Sequence, residues 1–242
     1  MIQSLKESID KFSDDFIALG YLDKPSSSLE TKEQHRAKFR AMLQEKMVEQ
    51  QKLIRKGYEL IIRELAEKKG DVADLYRLSE ERITALRDQD QINKMALEMG
   101  TFQDLLHYTP DMMLVMYSIG SELFEKKSYE ECIQVYTFLT TLNHLCFYFW
   151  LGLGSAYEAV EKFEEALASY KLAVFVAPKE VDPYLYTVRC CLACKKHPEA
   201  LEVLEQGKRL AEMLPEDEKM QNTKKEILMM IDHIEKQEKG GV

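Results

Sequence analysis

Three cysteines crowd into Cys190-Cys-Leu-Ala-Cys194, the stretch whose residue types could most readily carry metal or redox chemistry. Structural zinc needs four ligands, usually a second C-x-x-C or a pair of histidines. No second pair follows, and the five histidines are scattered, with none at an i, i+4 interval. His144 and His197 fall at predicted turns, and His107 falls just ahead of a helix cap. The cluster itself lies within a predicted helix, where small buried thiols are the expectation. The chain has no Gly-rich phosphate loop, no nucleophile elbow and no pair of carboxylates at a plausible catalytic site. Acidic runs such as Glu164-Glu165 read as solvated faces. Met112, Met113 and Met116 suit either an adaptable wall for varied ligands or core filling. No catalytic residue, metal or cofactor is expected, and the chain reads as a binding protein rather than an enzyme.

The elements that would present such a binding surface are legible from a repeat. Trp150-Leu-Gly-Leu-Gly-Ser-Ala-Tyr157, followed by Ala166, Tyr170, Ala173 and Pro178, matches W-x₂-L-G-x₂-Y, then A-x₃-aromatic, then P. That is the tetratricopeptide signature of a helix–turn–helix unit. Trp150, Leu153 and Tyr157 share one helical face, and Gly154 leaves room for a second helix that presents Ala166 at the crossing. Pro178 closes the unit, because its ring cannot continue the hydrogen-bond ladder. The pattern recurs at intervals of 34 residues: Cys132, Ala166 and Ala200 align, as do Gly120, Gly154 and Val188. Leu123, Tyr157 and Cys191 keep the same register, and so do Tyr136, Tyr170 and Leu204. The fold class expected is therefore all-α, a tetratricopeptide solenoid of three repeats over about 111–144, 145–178 and 181–214.

Around the repeats the spacing predicts more helix. Ile2, Leu5, Ile9, Phe12, Phe16 and Leu19 give an amphipathic segment over 1–20, and Asp23-Lys-Pro-Ser-Ser-Ser28 within 21–30 reads as a linker. A helical extension over 31–108 opens with a long helix from about Thr31 to Lys69. Its apolar stripe packs against the rest of the chain or self-associates as a coiled coil, the heptad being broken at Gln50 and Gly57. A further helix is expected over Asp71–Arg87, then a short amphipathic segment within 88–108. Thr109-Pro110-Asp111 reads as N-cap, proline at the first helical position, and acidic first turn. After Pro215 a last helix carries Ile227, Met230, Ile231 and Ile234 on one stripe, a cap for the solenoid over 215–242 with a frayed tail.

With a net charge of −9, the chain of 242 residues is not expected to seek nucleic acid or anionic membrane. The longest apolar run, Leu145–Leu153, is too short for a bilayer-spanning helix. Five irregularly placed cysteines suit reduced thiols, and the opening residues lack a signal-peptide layout, so a cytoplasmic protein is expected.

Stacked repeats turn their first helices to a concave side. Counting from Trp150, the inner face takes Leu114, Tyr117, Ser121 and Phe124 from the first repeat. The second repeat gives Tyr148, Leu151, Ser155 and Glu158, and the third gives Asp182, Leu185, Arg189 and Leu192. Gripping a free C-terminal carboxylate would need a cationic cluster, and Arg189 stands alone. An extended, mostly apolar peptide is the expected ligand.

At this point the residues resemble a family. Gly100-Thr-Phe-Gln-Asp-Leu-Leu106, Leu114-Val-Met-Tyr117, Tyr129-Glu-Glu-Cys132, Leu139-Thr-Thr-Leu-Asn143, Phe149-Trp-Leu-Gly-Leu-Gly154 and Asp182-Pro-Tyr184 look like the class II chaperones of bacterial type III secretion. The likeness covers about residues 98–215. It implies a bacterial cytoplasmic chaperone that holds hydrophobic translocator proteins, or other secreted clients, soluble until export. It also implies a groove that grips a short client segment and a dimer formed through N-terminal helices. Two features depart from the family: Ser128 stands where glycine is usual, and the N-terminal extension of roughly 90 residues exceeds the usual leader. That extension keeps a different expectation open, a scaffold or adaptor that self-associates and recruits a partner for regulation or cell division.

Overall fold

A computed structural model of the chain describes residues 32–98 and 100–213, with positions 221, 224, 225, 227, 229 and 230 beyond them. The helix expected over 1–20, the 21–30 linker, Ile231, Ile234 and the tail lie outside the described residues. Among those described, every regular element is helical: α1 (Lys32–Lys69), a 3₁₀ segment (Gly70–Tyr76), α2 (Glu80–Ala85), α3 (Gln89–Leu97) and α4 (Phe102–Leu105). Then come α5 (Pro110–Glu125), α6 (Tyr129–Leu142), α7 (Phe147–Ala159), α8 (Phe163–Val176), α9 (Asp182–Ala193) and α10 (His197–Met213). None of these helices is long and apolar enough to cross a membrane. The chain divides into two compact units between Arg55 and Lys56, within α1.

In the first unit the described part of α1 exposes Met42 and Val48. In the second, the rest of α1 lies hard against α6. A Cβ on Gly57 would run into the carbonyl of Gln134, and the Tyr58 ring lies 5.7 Å from that of Phe138. Ile61 and Leu65 are buried, and Lys68 pairs with Glu122. This stretch of the apolar stripe is thus satisfied by its own chain, and Gly57, which breaks the heptad, is the point of closest approach.

The single helix expected over Asp71–Arg87 is broken in two. The 3₁₀ segment ends at Tyr76, and α2 starts afresh with Ser79 as N-cap, accepting from the Arg82 amide at 3.3 Å. The Arg82 guanidinium donates to the carbonyls of Leu75 and Arg77 at 3.0 and 2.9 Å and lies 4.5 Å over the Tyr108 ring. Those two bonds satisfy carbonyls that a continuous helix would otherwise have paired. The segment within 88–108 is likewise two short helices. α4 opens on a capping box in which Thr101 and Asp104 bond each other's backbone amides, an S/T-x-x-D/E pattern that the periodicity reading passed over.

From Thr109 onward the chain forms three helical hairpins, α5–α6, α7–α8 and α9–α10. Thr109 caps α5 as expected, accepting from the Met112 amide at 3.2 Å, with Pro110 at the first position. Within each hairpin the turn is the same. Lys127, Glu161 and Lys195, spaced by 34, adopt left-handed backbone (φ 61°, 60° and 58°). The next residue's amide reaches back to the carbonyl of Leu123, Tyr157 or Cys191 at 2.9, 3.0 and 2.8 Å. This is the Schellman closure, usually built on glycine.

Glycine also sets the hairpin packing. A Cβ on Gly120 would meet the Tyr136 ring at 2.8 Å, and one on Gly154 the Tyr170 ring at 2.5 Å. Gly152 lies even closer to Tyr136, from the neighbouring hairpin. The close approach expected at Gly154 is therefore made by a tyrosine ring, while Ala166 is buried nearby in the core. The two glycines of Leu-Gly-Leu-Gly have separate tasks: Gly154 closes its own hairpin, and Gly152 admits the preceding one. The third hairpin shares a core cluster with Ile227, against which Met230 also packs. Two residues of the expected C-terminal stripe, Ile227 and Met230, thus pack with the core of the third hairpin.

Candidate functional site

The first helices of the hairpins present aromatic and aliphatic side chains that their own hairpins do not cover. Leu114 is 65% exposed and Tyr148 56%, large values for such residues. Beside them lie two adjoining pockets. One, of about 550 Å³, is bounded by Pro110, Met113, Leu114, Tyr117, Cys146, Tyr148 and Phe149, with the amides of Gln103 and Asn143 at its edge. The other, of about 340 Å³, is bounded by Ser121, Phe124, Tyr136, Leu151, Gly152, Ser155 and Tyr186, with Glu125 its one charged residue. Tyr117 and Tyr148 belong to both and form the ridge between them.

That ridge is held by packing on both sides. The Tyr117 ring meets Tyr136 edge-on at 5.7 Å and Phe149 at 6.0 Å, and Tyr148 lies 4.0 Å from Phe147. Ser121 shares a hydrogen bond with the Tyr136 hydroxyl at 3.3 Å, and 34 residues on Ser155 does the same with Tyr170 at 3.2 Å. Burial pushes both tyrosine hydroxyls far above the ordinary phenol range, so they remain neutral and act as fixed hydrogen-bonding struts. At the first pocket's edge, Asn143 donates to Gln103 at 2.7 Å and accepts from the Leu145 amide at 3.0 Å. The helix α7 thereby starts on a defined footing.

Of the residues expected on the inner face, Leu114, Tyr117, Ser121, Phe124, Tyr148, Leu151 and Ser155 come together at these pockets. The third repeat departs. Leu185 is buried in the core cluster that also takes in Ile227, so it is not a groove residue. Leu192 packs against the same cluster, as does the inner side of Leu151. Asp182 stands in the first turn of α9, away from both pockets. Glu158 and Arg189 are occupied with each other, at 2.6 and 2.7 Å. Tyr186, one residue past Leu185, takes the place on the groove that counting assigned to Leu185. Phe149 and Cys146 were missed because they read as core and turn residues: Phe149 is buried with one face in the pocket, and Cys146 is the half-buried N-cap position of α7. Met113, open between ligand wall and core filling, is a buried residue that also bounds the first pocket.

The other chemistry-bearing groups are engaged structurally. Burial pushes Cys132 and Cys190 up to about 12 and Cys191 up to about 11, so these thiols stay protonated. Cys132 donates to the Gly120 carbonyl at 3.4 Å, inside the first hairpin. Among the described residues no three His, Cys, Asp or Glu side chains gather as a metal site would need. A more polar pocket of about 680 Å³ lies beside the 3₁₀ segment and α2. Its cations are already committed: Arg77 to Asp74 at 2.8 Å, and Arg82 to two carbonyls and the Tyr108 ring.

No family model matches the chain. Among curated proteins, it is 27% identical over 93 residues to the low calcium response locus protein H of Yersinia pestis. That match takes in 38% of this chain and spans about half, 55%, of the relative's length. Among solved structures, a type III secretion complex from Aeromonas hydrophila aligns with a TM-score of 0.58 at 19% identity, over 62% of this chain and 99% of that one. The Yersinia enterocolitica type III secretion translocator chaperone SycD aligns with a TM-score of 0.51 at 23% identity, over 55% and 98%. PcrH of Pseudomonas aeruginosa, in complex with the chaperone binding region of PopD, aligns with a TM-score of 0.50 at 18% identity, over 54% and 96%. The resemblance carried by the repeat residues thus holds for the fold, which this chain shares with the translocator chaperones over nearly their whole length.

Proposed function

We propose that the chain is a chaperone of type III secretion that holds an extended apolar segment of a hydrophobic translocator protein in the groove of its first two hairpins. The observation that carries this is the pair of adjoining pockets divided by Tyr117 and Tyr148, apolar and with a single charged residue on their walls. Pockets spaced along first helices suit alternate side chains of an extended peptide, and a surface so apolar is uncommon on a protein without a partner. A client made to enter membranes aggregates unless its exposed apolar stretches are masked. The role proposed is masking without chemistry, non-enzymatic and in a bacterial cytoplasm. The names of the structural neighbours SycD and PcrH support the same reading.

Self-association through the N-terminal region accompanies this function, supported by a separate first unit that leaves Met42 and Val48 exposed. A scaffold or adaptor would share that region and differ in its partner. Co-expression with hydrophobic translocators separates the two: the chaperone keeps at least one soluble and co-purifies with it. Leu114→Ala with Tyr148→Ala should then release the client while far-UV helicity stays unchanged, since both side chains are exposed. Clients that stay insoluble with the native chain, or that the double variant holds equally well, would rule the groove out.

A further inference from the structure

Because repeat-equivalent residues lie 34 apart, one junction between hairpins can be compared with the next. Between the first and second hairpins the junction is open. Tyr136 rests on Gly152, and Phe124 and Ser155 line the pocket of about 340 Å³. Between the second and third, the equivalents of Tyr136, Gly152, Phe124 and Ser155 are Tyr170, Tyr186, Glu158 and Arg189. Tyr186 stacks on Tyr170, ring centroids 5.3 Å apart and planes 22° from parallel. The Arg189 guanidinium lies 4.8 Å over Tyr186 and donates Nε and Nη2 to the two oxygens of Glu158 at 2.6 and 2.7 Å. The Tyr170 hydroxyl donates to the same carboxylate at 2.9 Å.

A bidentate arginine–carboxylate pair that also stacks on an aromatic ring is stiffer than an ordinary surface ion pair. The Glu158 side chain is only 20% exposed, so water competes weakly for it. The volume that forms a pocket at the first junction is, at the second, filled by the chain's own side chains. We infer that the Tyr186–Arg189–Glu158 latch ends the client's footprint: the groove grips two bulky apolar anchors and refuses a third in the same register. This rests on the peptide-groove reading above and narrows the client to a two-anchor segment, followed on the third-hairpin side by a residue that tolerates a charged surface.

Peptides of about twelve residues with random sequence, displayed on phage, test this against the full chain and its variants. Tyr186→Ala with Arg189→Ser opens the second junction, and Phe124→Glu with Ser155→Arg places the ion pair of the latch at the first. The native chain should select two spaced apolar anchors. The opened variant should select a third, and the ion-pair variant should lose one, binding the native chain's selected peptide roughly tenfold to a hundredfold more weakly. Circular dichroism checks each fold. Tyr186 also bounds the pocket of about 340 Å³, so Arg189→Ser alone, which leaves that wall in place, is tested beside the double variant, and any folded variant decides alone if the others unfold. A third anchor already selected by the native chain, or an unchanged selection by a folded variant, overturns the latch. If the native chain selects no peptide at all, the groove reading itself falls, and the latch with it.

Discussion

Tyr136 and Tyr170 each seat a ring where the facing helix has only a hydrogen, so the sites are strictly limited in volume. Gly154→Leu should force the Tyr170 ring out and destabilise the fold by about 1–3 kcal/mol. Chemical denaturation measures this, and an unaltered midpoint would show that the ring does not depend on the glycine. The cysteines make a second prediction at this scale. A thiol pushed up to about 12 is almost wholly protonated at pH 8, and only the thiolate attacks a disulfide reagent. Cys132, Cys190 and Cys191 should therefore stay silent to Ellman's reagent in the native protein and react on unfolding. Rapid native labelling at any of the three, located by peptide mass mapping, would contradict their burial. Both features were visible as spacing in the sequence, and only their contacts were not. Gly154 marked a close approach, but a helical wheel cannot tell whether Ala166 or the Tyr170 ring fills the gap.

Each element's ends are where local chemistry outweighed periodicity. The hairpins and the long α1 were legible because their apolar residues recur over many turns, whereas the region from Asp71 to Leu106 is made of short pieces governed by caps. Ser79 and the Thr101–Asp104 box start helices there, and Arg82 closes the preceding carbonyls, all through polar contacts that a stripe of apolar residues does not record. The same reasoning gives a stabilising prediction. Lys127 and Lys195 hold left-handed backbone at the hairpin turns, a conformation that costs a side-chain-bearing residue roughly 1–2 kcal/mol and glycine nothing. After glycine's extra chain entropy is set against that, Lys127→Gly or Lys195→Gly should stabilise by up to about 1 kcal/mol. The denaturation midpoint should rise with the slope unchanged. The third hairpin shows the limit of counting by 34: Leu185 has the register of Leu151 but shares its core with Ile227, and the register alone did not reveal what covers it.

Across the whole molecule, the groove and the net charge of −9 act independently. Pockets with one charged residue on their walls should bind a neutral client with an affinity that changes little between about 50 and 500 mM salt, over which surface charges are screened. A steep salt dependence in a titration would instead place charge at the centre of recognition. The division within α1 decides where the N-terminal region can be removed. The sequence suggested an extension up to about residue 108, yet Gly57, Ile61, Leu65, Ala73 and Tyr76 pack within the unit that contains the hairpins. A cut at Lys56 spares these contacts, while a cut near residue 90 would strip buried surface from the second unit. The fragment 56–242 should therefore keep the melting temperature of the full chain to within a few degrees, a shift that about 1 kcal/mol would produce. If self-association resides in the first unit, sedimentation should find a dimer for the full chain and a monomer for this fragment, with peptide affinity retained. A fragment that melts far lower would show that the units stabilise one another. One that remains a dimer would move the self-association surface onto the hairpins.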